Sequence, residues 1–195
     1  LHDRAVHEGQ WVHSPVFSFW LTPQMELAGK TMGIIGLGRI GMATAKLAEA
    51  FGMDVLAYTR TEKEGIRCVP LDTLLERADV ISLHCPLLPE TNQLICRETI
   101  GKMKDGVILL NTSRGGLVNE GDLAEALKSG KLRGAAVDVV AQEPMAHDNL
   151  LLTAPNCIIT PHMAWAPVES RQRLMNCVEG NLRAFLNGYV ENCVN

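Results

Sequence analysis

The sequence predicts an α/β domain built on a parallel sheet, and three observations carry that prediction. From residue 31 onward, short β-branched or aliphatic runs alternate with longer stretches of helical period, as strands joined by crossover helices do. A glycine-rich turn links the first run directly to the first helical stretch. The 195 residues are 47% hydrophobic and 21% charged, an ordinary globular composition with enough chain for one large buried core.

The predicted strands are residues 31–35, 54–58, 80–83, 107–110, 135–139 and 157–160. Between the first two, a helix over residues 39–51 carries Ile40, Ala43, Leu47, Ala48 and Phe51 at three-and-four spacing, so that face is expected to pack on the sheet. A second helix over 119–128 has Asn119 as its N-cap, Leu123, Ala126 and Leu127 on one face, and Gly130 beyond its end. Leu174, Cys177, Val178, Leu182, Phe185 and Leu186 define a final amphipathic helix closed by Gly188.

Residues 1–30 break the rhythm. Trp11, Phe17, Phe19 and Trp20 place four of the nine aromatic residues within ten positions, beside Pro15 and Pro23. Two readings stand: a lead-in folded onto the domain's own core, or an arm that buries its aromatics against a second subunit in a homodimer.

Composition also excludes. The net charge of −4 lacks the cationic excess of a nucleic-acid binder. No stretch approaches the roughly 18 apolar residues of a membrane span. Cys68, Cys85, Cys96, Cys157, Cys177 and Cys193 show neither a C-x-x-C pair nor regular spacing, so they are expected to be mostly small buried hydrophobes in a reducing cytoplasm. His2, His7 and His13 do not share a helical face and form no matched ligand set, so no metal is expected.

Gly36-Leu37-Gly38-Arg39-Ile40-Gly41 is G-x-G-x-x-G, a weak signal alone. Its place between a strand and a helix makes it a dinucleotide fingerprint. Gly36 makes the turn, Gly38 lets the backbone approach a pyrophosphate, Gly41 allows close helix–strand packing, and the helix amides face the phosphates. The predicted architecture is therefore the doubly wound Rossmann sheet. About 20 residues on, an NAD site needs a carboxylate for the ribose. Thr59-Arg60-Thr61 stands there instead, and a guanidinium flanked by hydroxyls suits a 2′-phosphate, so the cofactor is read as NAD(P) with a lean to NADP.

Three polar sites follow later strands: Asn111-Thr112-Ser113-Arg114, then Asp138 and Glu143-Pro144, then Thr160-Pro161-His162. A guanidinium, a carboxylate and an imidazole thus fall on the edge where an open parallel sheet holds its ligand. Reduction of a 2-oxo acid by hydride needs this set: a cation for carboxylate and carbonyl, a proton donor, and an acid to orient the donor.

Through GLGRIG, HCPLLPET, NTSRGGLVNE, AAVDVVAQEP and TPHMAWAP, in that order over residues 20–195, the chain resembles the D-isomer-specific 2-hydroxyacid dehydrogenases, especially their glycerate dehydrogenase (hydroxypyruvate reductase) branch. The resemblance implies that Arg114 binds the substrate carboxylate and polarises the carbonyl, and that His162 is the general acid in reduction and the general base in oxidation, hydrogen-bonded to Glu143. It implies that Asp138 holds the nicotinamide carboxamide and that Cys85, Pro86 and Thr112 line the cofactor groove, beside Arg39 and Ile40 at the phosphate turn. The substrate would be a small acid such as hydroxypyruvate, glyoxylate or glycerate. Relatives that act as dinucleotide-sensing co-repressors supply the alternative, a regulatory binding module. The family has a substrate domain of its own. The expected layout is accordingly a lead-in or dimerisation arm over 1–30, the cofactor domain over 31–188 and the start of a return segment over 189–195, with the substrate domain absent and no turnover by this segment alone.

Overall fold

Seven parallel strands form one sheet in the order β3-β2-β1-β4-β5-β6-β7 in the computed structural model, which describes residues 1–194. They are β1 (Thr31–Ile35), β2 (Asp54–Tyr58), β3 (Arg67–Cys68), β4 (Val80–Leu83), β5 (Val107–Asn111), β6 (Leu132–Val137) and β7 (Cys157–Ile159). The helices are α1 (His2–His7), α2 (Arg39–Ala50), α3 (Leu71–Arg77), α4 (Arg97–Lys102), α5 (Glu120–Lys128) and α6 (Val168–Leu186). Every strand pairing is parallel, so each connection is a crossover. β1 pairs with β2 on one side and β4 on the other, and at that reversal the connections leave a crevice at the carboxyl ends.

Two apolar layers sandwich the sheet. Leu74, Leu75, Ile81, Leu83, Leu109 and Leu123 belong to one, and Met32, Ile34, Leu37, Ala45 and Met53 to the other. Strands buried on both faces read as unbroken aliphatic runs, which is why β1 and β4 match their predicted bounds; β2 matches as well, with burial confined to Leu56 and Ala57. β6 runs over 132–137 rather than 135–139, and after Val137 the backbone departs to place Asp138. β3, α1, α3 and α4 were not expected. With two, six, seven and six residues they are too short for a periodic signal.

α5 has the expected N-cap, the Asn119 side chain accepting from the Asp122 amide at 3.0 Å, with Leu123, Ala126 and Leu127 buried. α2 does not pack as expected. Of the expected face Ala48 alone is buried; Ile40, Leu47 and Phe51 are 63–71% exposed, and Gly41 and Ala45 face the sheet beside Ala48. The helix lies so close to β1 that small residues alone fit beneath it. α6 is amphipathic as read and ends near Gly188, yet buries none of its residues.

Three of the lead-in's four aromatics do not fold onto the core: Trp11, Phe17 and Trp20 are 52–90% exposed, while Phe19 is half-buried. The segment folds on itself, with Trp11 Nε1 donating to the Phe17 carbonyl and His2 accepting from the Leu21 amide. His7 and His13 each contact a backbone carbonyl of their own turn. The expectation for the cysteines also fails in part, since only Cys85 is buried while Cys177 and Cys193 are exposed. Of the return segment over 189–195, Asn195 lies outside the described residues. Among the described residues no helix is long and apolar enough to cross a membrane.

Candidate active site

The glycine turn sits where the fingerprint requires it. Gly36 has φ +96°, its amide donates to the Tyr58 carbonyl at 2.9 Å, and a Cβ there would lie 2.5 Å from the Cys85 nitrogen. A Cβ on Gly41 would lie 2.1 Å from the Gly36 oxygen, so that glycine is needed for helix–strand packing. Over Gly38 there is nothing within 4 Å, an open cradle at the start of α2. The residues present therefore fit a dinucleotide pyrophosphate.

The cradle opens into a cleft of about 480 Å³ lined by Gly36, Gly38, Thr59, Arg60, Cys85 and Pro86, six of the residues expected there. Gly41, Arg39, Ile40, Thr112 and Asp138 do not line it. Lys63, His84 and Thr91 do, and the motif reading missed them. Thr91 lay inside HCPLLPET, where its hydroxyl accepts from the Leu88 amide and donates to the Pro86 carbonyl, both at 2.8 Å, fixing that wall. His84 pairs with the Ser82 hydroxyl at 2.9 Å, and burial pushes its pKa below the usual histidine value.

Arg114, Glu143 and His162 all come from the carboxyl edge of the sheet, after β5, β6 and β7. At the first turn, the buried Asn111 accepts from the Ser113 amide at 3.0 Å and donates to the Arg114 carbonyl at 2.9 Å. Ser113 donates from its hydroxyl to the Cys85 carbonyl at 2.8 Å, tying this turn to the cleft wall. The Arg114 guanidinium is exposed, held by one bond to the Ser113 carbonyl.

His162 Nδ1 lies 2.7 Å from Glu143 Oε2, and Glu143 Oε1 accepts from the Val140 amide at 3.2 Å. The hydrogen bond to His162, then that from Val140, holds the Glu143 carboxyl below its ordinary pKa. With Nδ1 engaged by Glu143, Nε2 is the ring nitrogen left for other partners. His162 has φ +50°, a left-handed conformation uncommon for a side-chain-bearing residue.

Asp138 explains how that conformation is held. It is 5% exposed; its Oδ1 accepts from the Thr160 hydroxyl and the Met163 amide, and its Oδ2 from the Ala164 amide. Its carbonyl accepts from the His162 amide at 2.8 Å. Burial raises its pKa, but the bonds from Thr160, Ala164 and Met163 outweigh burial and leave it lowered. The side chain thus organises the turn under His162, with one lone pair of Oδ2 left for another donor.

This geometry has close counterparts. Residues 1–164 match the model of the D-isomer specific 2-hydroxyacid dehydrogenase, NAD binding domain. The hydroxypyruvate reductase of Blautia hydrogenotrophica is 56% identical over 199 residues, covering 100% of this chain and 62% of that protein. The glycerate dehydrogenase of Methylorubrum extorquens is 46% identical over 99% of the chain and 62% of its own length. An acyclic imino acid reductase solved with NADPH and D-Arg superposes with a TM-score of 0.86 at 30% identity, over 100% of this chain and 61% of that one. The chain thus spans less than two thirds of the relatives it matches. It belongs to the D-isomer specific 2-hydroxyacid dehydrogenases, of which it contains the NAD binding domain.

Proposed function

We propose that the full-length protein reduces a small 2-oxo acid, of the hydroxypyruvate or glyoxylate type, to the D-2-hydroxy acid. The observation that carries this reading is the 2.7 Å pair of His162 and Glu143 on the same sheet edge as Arg114 and the glycine cradle. A bound nicotinamide dinucleotide supplies the hydride. Arg114 binds the substrate carboxylate and polarises the carbonyl, His162 delivers the proton from Nε2, and Glu143 fixes the ring. The free lone pair of Asp138 Oδ2 suits the carboxamide. Hydroxypyruvate and glyoxylate should each be reduced with a nicotinamide cofactor, measured by cofactor absorbance. Cofactor binding without turnover of any 2-oxo acid would overturn the enzyme and favour the regulatory module.

Three finer readings accompany this one. Arg60, with Thr59, Thr61 and the nearby Lys63, suits a 2′-phosphate, although Glu90 lines the same cleft. NADPH is therefore expected to bind about 10- to 100-fold more tightly than NADH by calorimetry, as for a charge-assisted contact, and Arg60→Ala should remove the difference. Equal binding overturns it. The exposed Trp11, Phe17 and Trp20 support a homodimer through the arm, and a monomeric mass in sedimentation at micromolar concentration would refute it. Six free thiols suit a reducing cytoplasm.

A further inference from the structure

Arg114 and Glu143 reach the site on segments that leave different strands, and the chemistry needs them at a fixed separation. Two contacts join those segments. A Cβ on Gly115, next to Arg114, would meet the Val140 carbonyl carbon at 1.9 Å, so the two backbones touch. Five residues on, Glu120 at the start of α5 turns its carboxylate onto the same loop. Oε1 accepts from the Ala141 amide at 2.7 Å and Oε2 from the Asn149 side-chain amide at 2.8 Å. Asn149 in turn accepts from the Leu151 amide at 2.9 Å, anchoring the loop's far end.

One carboxylate therefore ties both ends of the segment 141–149, and Glu143 lies between them. A glutamate in the first turn of a helix is ordinarily explained by the helix dipole. Here both oxygens are taken by another segment, which a dipole role does not require.

We propose that Glu120 is a positioning residue for the acid–base pair: by holding Ala141 and Asn149 it sets where Glu143 stands relative to His162. The proposal rests on the hydride-transfer reading above. Without the tie, Glu143 is free to drift, the imidazole loses its fixed partner, and proton delivery slows. The dinucleotide cradle is built by other loops and is left intact.

The test compares the full-length protein with Glu120→Ala, Glu120→Asp and Glu120→Gln. Alanine should lower kcat for reduction about 10- to 100-fold, as sub-ångström to ångström misplacement does, and leave dinucleotide affinity within about twofold. Aspartate keeps the charge at the helix start but is too short to hold both partners, so it should fall with alanine; it also serves if the alanine variant does not fold. Glutamine keeps an acceptor for Ala141 but turns an amide toward the Asn149 NH2, whose own oxygen is held by Leu151, so it should fall between wild type and alanine. Because Glu120 acts through Glu143, Glu143→Gln and the Glu120→Ala/Glu143→Gln pair should have equal kcat. An unchanged kcat in both short variants, or a loss undiminished in the Glu143→Gln background, overturns the proposal. A readout free of turnover is NMR of the His162 ring. Glu143→Gln should move its resonances in the wild type and leave them still in Glu120→Ala; movement in both overturns the proposal. If the wild type reduces no 2-oxo acid, the functional reading fails while this readout still decides the tie.

Discussion

At the carboxyl edge of the sheet, the side chains proposed to carry the chemistry are each held by named partners, whereas the arm and α6 present large apolar side chains that the described residues leave uncovered. Glu143 is fixed by His162 and Val140, and Asp138 by Thr160, Met163 and Ala164. Phe17 is 90% exposed, Phe185 71% and Leu186 74%. The first region is finished within this chain. The second is left exposed among the described residues, and stability measurements on the chain should therefore respond to the two regions differently.

The largest effect belongs to the site. In the full-length protein His162→Asn, which tolerates a left-handed backbone, should lower kcat about a thousandfold, equivalent to roughly 4 kcal/mol of barrier. The melting temperature should hardly change, since the imidazole is partly exposed and packs against no apolar layer. A small kinetic loss would break the comparison, because the edge would then be ordered for a purpose other than proton transfer.

Next comes the core beneath it. Ile81 lies in β4 with 0% exposure, and Ile81→Ala should destabilise the fold by about 3 kcal/mol in urea titration, through lost transfer energy and the cavity left behind. A change under about 1 kcal/mol would mean that the sheet adjusts more freely than its close packing implies.

These two regions were also unequally legible in the sequence. Gly36 and Gly41 were legible because a turn at positive φ and a helix pressed onto a strand admit one residue type at fixed spacing. That Arg114, Glu143 and His162 share one edge was legible because each follows an apolar run, and strand ends on a parallel sheet converge. The packing face of α2 was misread for a physical reason. Hydrophobic period reports that a stripe exists, not which stripe faces the sheet, and close approach keeps Ala48 of the expected stripe but selects Gly41 and Ala45 over Ile40 and Leu47. Glu120 was legible only as the end of NTSRGGLVNE, and its contacts and the structural role of Asp138 left no trace, since a carboxylate that accepts from amides has no characteristic spacing.

A third effect sharpens the account of the edge. Asp138 has a lowered pKa in the fold, so its charged form is favoured there relative to the unfolded chain. Its stabilising contribution is complete above the unfolded value of about 3.9 and disappears as pH falls through the lower folded value. Acid unfolding between about pH 4 and lower should therefore lose part of its pH dependence in Asp138→Asn. An unchanged acid limb would mean that Asp138 is not the carboxylate that links protonation to the turn under His162.

The smallest effect concerns α6, and it tests the other half of the comparison. Leu182 sits on the apolar stripe of that helix and is 57% exposed, with no buried residue anywhere along the nineteen-residue helix. Truncating it removes little surface that folding of this chain has taken from water. Leu182→Ala in the 195-residue chain should accordingly shift stability by less than about 0.5 kcal/mol, and by either sign, since alanine is the better helix former. In the full-length protein, whose relatives are about 1.6 times the length of this chain on the 62% coverage, the same substitution should be felt more strongly if added sequence covers the stripe. Equal and small effects in both would leave α6 bare in the whole protein, whereas a loss above about 1 kcal/mol in the chain alone would mean that the helix already packs here. A stripe without a partner in its own domain is informative for that reason: its energetic silence in one context and its response in another measure what the domain alone does not bury.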